Sequence, residues 1–279
     1  ALGKTAIGIA RGFANYPQYD IYTISCSQQV PIDLANHYSL PKYDSPEQYE
    51  ESYPAAELEE FLSSVRGETI FIVSGFDLES ATSLRMLQYV TQRSEVKVMY
   101  VQPDMTTAAQ VCKLMDNIVR GVLQQYARSG AFKQLFIISI PVVRTLLGDV
   151  PIMQYESKAA ELIASTVHMI NVFDHTEPVY TDNFKLCEAV RIFTMGISNL
   201  DTDEEKLFYP LDNIRERVYY YSIKKESIEK DGTLMSKIVK KTRDNLSEEQ
   251  NNKAGFSIYA SEYDEDYVYL IAGTSAVQQ

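Results

Sequence analysis

A chain of 279 residues is long enough for one large domain or two smaller ones, and its 45% hydrophobic and 23% charged content is that of an ordinary globular protein. A net charge of −12 argues against a nonspecific nucleic-acid surface and against adsorption to an anionic membrane, so neither is expected as a partner. Cys26, Cys112 and Cys187 stand far apart without C-x-x-C spacing, and no apolar run spans a bilayer; this excludes a disulfide framework and points to a reducing, cytoplasmic setting.

In chain order, Ala1-Leu2-Gly3-Lys4-Thr5 reads as a turn that opens a helix, with the first strand expected to precede it. Residues 5–15 place Ile7, Ile9, Ala10 and Phe13 on one helical face, and Pro17 stops that helix. Residues 20–25 form a short strand. Residues 27–57 are polar, rich in tyrosine and broken by Pro31, Pro41, Pro46 and Pro54, and read as a long loop with at most one short helix. A helix over 55–65 leads into Thr69-Ile70-Phe71-Ile72-Val73, a run patterned as a strand buried on both faces. Ser74-Gly75 breaks that run, and Leu84, Met86, Leu87 and Val90 then recur at helical spacing. Next come a strand over 97–101 and a helix over 106–129 with Val111, Met115, Ile118, Val122 and Leu123 as its apolar stripe. A strand over 134–140, a short helix over 142–147 and a long helix over 155–173 complete a βαβα alternation. That alternation implies a mostly parallel, Rossmann-like sheet flanked by helices.

Beyond Asp174 the composition turns to α+β. The expected elements are a helix over 183–191, a strand over 192–198, a strand or helix end over 216–223 and a lysine-rich helix over 227–246. Two strands, 255–261 and 267–272, follow as a pair across the acidic turn 262–266. The reading is an α/β first domain over 1–175, including the long helix at 158–173, and a smaller α+β second domain over 176–279.

The chain is organised around residues 67–90. A strand that ends in a glycine turn and feeds a helix is where α/β proteins hold anions, because free backbone N–H groups point outward there. Here the turn is Gly75-Phe76-Asp77-Leu78-Glu79, with one glycine, a bulky ring and two carboxylates. Phosphate would meet Phe76 and negative charge, so no triphosphate is expected to bind. Gly3-Lys4-Thr5 matches the end of a P-loop, with Asp77 then in the place of a magnesium-binding acid; the same three residues also open an ordinary helix. Asp77 and Glu79 read either as an acid–base pair or as helix-capping carboxylates. His168, Asp174, His175 and Glu177 read as a metal cluster or as a helix end followed by a polar loop. The 20 tyrosines suit protein–protein contact and ordinary domain surfaces alike. The acidic turn 262–266 reads as solvated, or as a contact for the lysine-rich helix of a neighbouring subunit.

This order of elements resembles the tubulin/FtsZ family of filament-forming GTPases, specifically its divergent plasmid- and phage-type members. Ala1-Leu2-Gly3-Lys4-Thr5 stands where that family opens its first helix on a glycine turn, and VSGFDLESATS stands on its glycine-rich signature loop. KVMYVQP and FIISIP match its strands ending in proline, the 158–173 helix matches its central helix, and FKLCEAVRIFTMG matches the segment ending in Met-Gly. The resemblance implies a two-domain tubulin/FtsZ-like fold and head-to-tail assembly with itself or with other structural proteins. It also implies a GTP site at Gly3, Lys4, Thr5 and Gly75.

Carried over residue by residue, the implied chemistry is missing. The signature loop keeps only Gly75. The acid offered to the guanine base falls near Ala160. The two aspartates that polarise the attacking water fall at Asn183 and Leu186, with Asp182 one place away as the substitute. The expectation is a structural protein with a degenerate nucleotide site, no catalytic residues and no cofactor. Its copies would be joined through Phe76, Leu78, Asn183, Lys185 and Leu186, in the cytoplasm or within a virion or other large complex. Two alternatives stand beside it: an active GTPase forming dynamic filaments, and a P-loop or Rossmann-type nucleotide enzyme.

Overall fold

The computed structural model describes residues 1–26, 36–106, 108–202, 204–244, 246 and 252–278. The first part of the proline-broken loop, residues 27–35, and position 245 of the expected lysine-rich helix lie outside the described residues. The chain divides into two compact units, Ala1–Ala164 and Ser165–Gln279. The division falls inside the long helix, all of which the sequence reading assigns to the first domain.

In the first unit the strands are parallel. β1 (Tyr22–Ser25) pairs with β2 (Asn36–Ser39), and β3 (Gly67–Val73) pairs with β4 (Ser94–Gln102), which pairs with β5 (Gln134–Ser139). Leu2 bridges in parallel to both Ile24 and Val73, so Ala1-Leu2 occupies the strand position between β1 and β3. The Leu2 N–H donates to the Ile72 carbonyl at 2.9 Å, and the Gly3 N–H donates to the Ile24 carbonyl at 2.9 Å. β2 falls inside the expected long loop; its sequence, Asn-His-Tyr-Ser, has too little apolar content to announce a strand. β3, β4 and β5 carry the β-branched and aromatic runs of strands buried on both faces, and Val73, Val98, Tyr100, Leu135 and Ile137 are fully buried.

Helices pack around this sheet. α1 (Lys4–Ala10) buries Ala6, Ile7, Ile9 and Ala10, and it tightens into a 3₁₀ turn over Arg11–Asn15. A Cβ at Gly12 would lie 2.5 Å from the Ala164 side chain, so glycine lets that turn rest against the long helix. α2 (Pro46–Glu51) is N-capped by Ser45, whose Oγ accepts the Gln48 N–H at 3.4 Å. α3 (Ala55–Phe61), α4 (Ser83–Val90), α6 (Ile140–Leu147) and the start of α7 (Tyr155–Asp174) stand close to their expected positions.

The helix α5 (Gln110–Ser129) departs from its expected orientation. It carries apolar residues on two faces. Met115, Val119, Leu123 and Ala127 are buried, and with them Asp116, Arg120 and Gln124. Val111, Leu114 and Ile118 are 48%, 56% and 50% exposed. The expected stripe mixed the two faces. What fixes the rotation is polar: the Tyr100 hydroxyl on β4 donates to the Asp116 carboxylate, and Arg120 Nε lies 3.7 Å from Asp116 Oδ2. A buried carboxylate needs a hydrogen-bond donor and a cation, and only this rotation supplies both.

The second unit holds the rest of α7, which ends at Asp174, and a mostly antiparallel sheet. β11 (Tyr267–Thr274) lies between β7 (Ile192–Ser198) and β9 (Glu216–Lys224), antiparallel to each. β10 (Lys253–Ser261) pairs in parallel with β9, the short β6 (Tyr180–Thr181) edges β10, and β8 (Glu205–Leu207) edges β7. The final two strands are therefore not a hairpin: β9 lies between them, and the acidic turn carries the chain across it. Asp266 Oδ1 accepts the Lys224 N–H at 2.8 Å, so this turn caps its own β9 strand. α8 (Lys225–Lys230) and α9 (Leu234–Asp244) replace one continuous helix, because Asp231 accepts the Thr233 N–H at 2.8 Å and interrupts the ladder.

Tyr219, Tyr221, Ile223, Leu234, Ile238, Phe256, Ile258, Val268 and Leu270 form the core of this unit. Phe173 stacks on Tyr220 with centroids 5.8 Å apart, and Tyr259 donates to the Phe173 carbonyl at 3.0 Å. Much of the tyrosine content therefore builds core, with hydroxyls such as those of Tyr220 and Tyr259 reaching acceptors at its border.

The rotation of α5 predicts an inverted mutational pattern. Asp116→Ala should lower stability by about 3 kcal/mol, because the buried Arg120 loses its carboxylate partner. Ile118→Ala should stay within about 0.5 kcal/mol of the parent. Urea denaturation of the two variants measures both; a larger loss at Ile118 would contradict the observed orientation.

Candidate functional site

In a parallel sheet, binding sites form beyond the carboxyl ends of the strands. In the first unit that edge is built from Gly3, from Cys26 after β1, from Ser74–Thr82 after β3, and from the turn after β4. After β3 the chain makes a sharp turn at Gly75. A Cβ there would lie 2.5 Å from the Tyr100 hydroxyl and 2.6 Å from the Asp116 Cα, so only glycine lets the turn pass over β4 and α5. Gly75 is thus held in place by packing. Residues Leu78–Thr82 then form a 3₁₀ turn that feeds α4.

This turn sends both carboxylates inward. Asp77 Oδ2 accepts the Thr5 N–H at 3.2 Å, at the first turn of α1. A Cβ on Gly3, whose φ is +89°, would lie 2.5 Å from the same oxygen. The carboxylate therefore rests on the backbone of Gly3 and satisfies an N–H that an external anion would otherwise meet. Burial, and then the nearby Glu79 carboxylate, push the Asp77 carboxyl up to about 6, against the opposing pull of Thr5 and Lys4. Glu79 is buried, and it accepts the Cys26 N–H at 3.5 Å and lies 3.5 Å from the Cys26 thiol. Neither acid caps the helix that follows it, as the sequence reading expected; both brace neighbouring segments instead.

The remaining predicted positions separate. Lys4 is exposed at the start of α1, Leu78 is half-buried, and Phe76 is 39% exposed, so Asp77 and not Phe76 fills the start of α1. The P-loop reading fails on geometry. Leu2 is strand-paired and α1 begins at Lys4, so Gly3 alone forms the connection where a P-loop needs several more residues. Around the same edge, Arg144 on α6 lies 3.6 Å from Asp104 after β4 and pairs with Glu156 at the start of α7. The Tyr155 hydroxyl donates to the Gly148 carbonyl at 3.1 Å. These contacts tie the 148–156 loop to the strand ends, and on that loop Ile152 and Met153 are 86% and 93% exposed. The sequence reading passed over this pair, since two apolar residues beside Pro151 carry no periodic signal.

In the second unit the segment expected as a helix over 183–191 is irregular. Asp182 Oδ1 accepts the Phe184 N–H at 3.0 Å, and its Oδ2 accepts the Phe256 N–H at 3.1 Å. Asn183 takes the left-handed conformation with φ +58°. The Phe184 ring packs on Gly255, where any side chain would collide with it, and the buried Glu216 accepts the Cys187 N–H at 2.8 Å. These anchors divert the backbone from a helical ladder. Asn183 and Lys185 are exposed and Leu186 is half-buried. α7 does continue through Asp174, but the Asp174 carboxylate accepts the Tyr220 hydroxyl at 3.0 Å and His175 Nδ1 lies 2.8 Å from the Asn171 carbonyl, so both act within the helix end.

By sequence, the chain matches no family profile and none of the curated proteins. By structure, it is similar to a GTPγS-form protofilament of TubZ from Bacillus thuringiensis serovar israelensis. The TM-score is 0.68 at 11% identity, covering 98% of this chain and 86% of that one. It is similar to an empty FtsZ dimer from M. jannaschii with the same TM-score, identity and coverages. A GTPγS-bound protofilament of CetZ2 from Haloferax volcanii matches at 9% identity over 98% of this chain and 91% of that one. The likeness expected from element order is therefore a likeness of fold along nearly the whole chain.

The half-buried Asp77 carboxyl has a measurable signature. The folded state holds its proton to about pH 6, whereas an unfolded aspartate releases it near 3.8. Its contribution is therefore fully present below about pH 4 and lost as pH rises through about 6. Asp77→Asn keeps the acceptor for Thr5 and removes the charge. It should stabilise the protein by about 1–3 kcal/mol at pH 7.5 and by nothing at pH 4. Paired thermal melts at the two values test this, and an equal effect at both would refute the assigned burial.

Proposed function

We propose that this chain, which has the tubulin/FtsZ fold, is a structural protein that assembles with its own copies head to tail and does so without a nucleotide. The observation that carries this reading is Asp77, whose carboxylate rests on Gly3 and on the Thr5 N–H where an anion would meet the start of α1. A phosphate entering there must displace a carboxylate and face Glu79 behind it. Two like charges near ~4 Å repel by about 1 kcal/mol in water and by more in a partly dry site. Gly75 is committed to packing against Tyr100 and Asp116, and the 3₁₀ turn that follows offers no glycine-rich cradle. GTP hydrolysis is not part of the proposed role, since Asn183 and Leu186 stand where the resemblance puts the water-activating acids.

Assembly is supported by what this edge exposes. Phe76, Ile152 and Met153 present apolar side chains to solvent, and covering them in a contact would take that apolar surface out of water. In the proposed joint they meet the 179–188 segment of the next copy, with Leu186 as the apolar partner and Asn183 and Lys185 as the polar ones. The contact is heterologous, so it repeats along a line. A joint of side chains alone is permanent, in keeping with a filament or a large complex, and with the plasmid or phage setting of divergent proteins of this fold.

Two measurements test the reading. Calorimetric titration with GTP or ATP plus magnesium should show no binding in the micromolar range; saturable micromolar binding or steady phosphate release would restore an active GTPase. Electron microscopy and light scattering should show linear polymers of the parent that Met153→Asp and Leu186→Asp each abolish. A parent that remains monomeric, or variants that polymerise as it does, would overturn the joint.

A further inference from the structure

The outward face of α5 has no role in the sheet, in the edge or in the proposed head-to-tail joint. Along it run Val111, Leu114, Ile118, Val122 and Tyr126, spaced three to four residues apart as one stripe about 22 Å long at 1.5 Å per residue. Val111, Leu114, Ile118 and Tyr126 are all exposed, and Val122 is half-buried. Between them lie Asn117, Gly121 and Gln125; the nearest charges are Lys113 on the flank and Arg128 at the C-terminal end, and no acidic side chain stands on the outward face, although the chain as a whole carries a net charge of −12. Asp116 and Arg120, charges that would ordinarily solvate such a helix, are turned inward. Nothing lies within 4 Å of the position a Cβ would take on Gly121, so the backbone there is open to close approach. At its C-terminal end the stripe runs into a groove of about 410 Å³ lined by Leu84, Leu87, Tyr126 and Phe132, among others.

We infer that this face binds the same face of a second copy, α5 against α5 in antiparallel order, about a twofold axis at Ile118. Three observations select a second copy. The stripe maps closely onto itself under that rotation: Ile118 meets its counterpart, Leu114 meets Val122, and Val111 falls opposite Gln125, beside Tyr126 and the mouth of its groove. A face without acidic side chains lets two chains of −12 approach where their repulsion is least, and the antiparallel order sets the two copies of Arg128 at opposite ends of the pair. Among the described residues, no other helix presents such a row of exposed apolar side chains, so the surface that α5 fits best is α5 itself. A single helical stripe supplies about half of the ~800 Å² per partner of a standard interface, so the isolated pair is weak. Repeated along two adjacent polymers, the same contact adds up and draws them together laterally. The pair itself does not depend on the head-to-tail joint.

The test uses the full chain carrying Met153→Asp, in which the head-to-tail joint is disabled. Sedimentation velocity at concentrations up to on the order of 100 μM should show a monomer–dimer equilibrium. Adding Leu114→Asn and Ile118→Asn, both at exposed positions, should weaken that equilibrium at least tenfold, while Tyr263→Asn, exposed elsewhere, should leave it unchanged. In a background with Cys112→Ser and Cys187→Ser, Ile118→Cys should form dimers with a short bifunctional maleimide, and Glu161→Cys should not. A strictly monomeric Met153→Asp protein, a dimer unaffected by the paired asparagines, or cross-linking independent of position would each overturn the inference. If the parent forms no polymers and the twofold pair persists, the head-to-tail reading fails alone.

Discussion

A single buried carboxylate, Asp116, governs the first unit. It takes a hydrogen bond from Tyr100 on β4 and the charge of Arg120 one turn along α5, and these two partners lock the rotation of the helix on the sheet. Its backbone then presses on Gly75, with no room for any side chain between them. That pressure shapes the turn after β3, and the turn delivers Asp77 to the start of α1. A polar contact beneath the sheet edge thus decides both what α5 shows to solvent and what fills the site above it. The coupling is steric and electrostatic at once, which is why a change at Asp116 reaches further than its own hydrogen bonds.

The start of α1 illustrates how a chain can satisfy the donors of a helix N-terminus from within. The free N–H groups of a helix N-terminus require an acceptor, whatever the protein does. An anion from solvent is one solution and a carboxylate from the chain is another. Here Asp77 supplies it, and the energetic consequence is a raised carboxyl whose burial favours the protonated form. At the rim, Ile152 and Met153 are the apolar groups that would gain most from being covered.

The second unit is stabilised differently. Its central strands are aromatic: Tyr219 and Tyr221 on β9 face Phe256 and Ile258 on β10 and Leu270 on β11 within one core. Rings bury large area, and their hydroxyls reach acceptors at the border, as Tyr220 does at Asp174 and Tyr259 at Phe173. The irregular 182–190 segment is held to this sheet by Asp182, Phe184 and Glu216 in place of a helical ladder. A loop anchored at three points can present Leu186 and Lys185 as firmly as a helix would.

The sequence by itself determined the order of the elements and the class of fold, because buried parallel strands must be continuously apolar and their connecting helices must alternate with them. It also set a ring and two carboxylates, Phe76, Asp77 and Glu79, in the loop after β3, a composition that is plain in one dimension. Tertiary structure alone decided the rest. The rotation of α5 could not be read, because the helix has apolar residues on two faces and only the Tyr100 hydroxyl selects between them. The pairing of β10 and β11 could not be read, because adjacency in sequence favours a hairpin and only the sheet shows β9 inserted between them. The role of Asp77 could not be read either, since its partners, Gly3 and Thr5, lie more than 70 positions away and meet it only when the strands align.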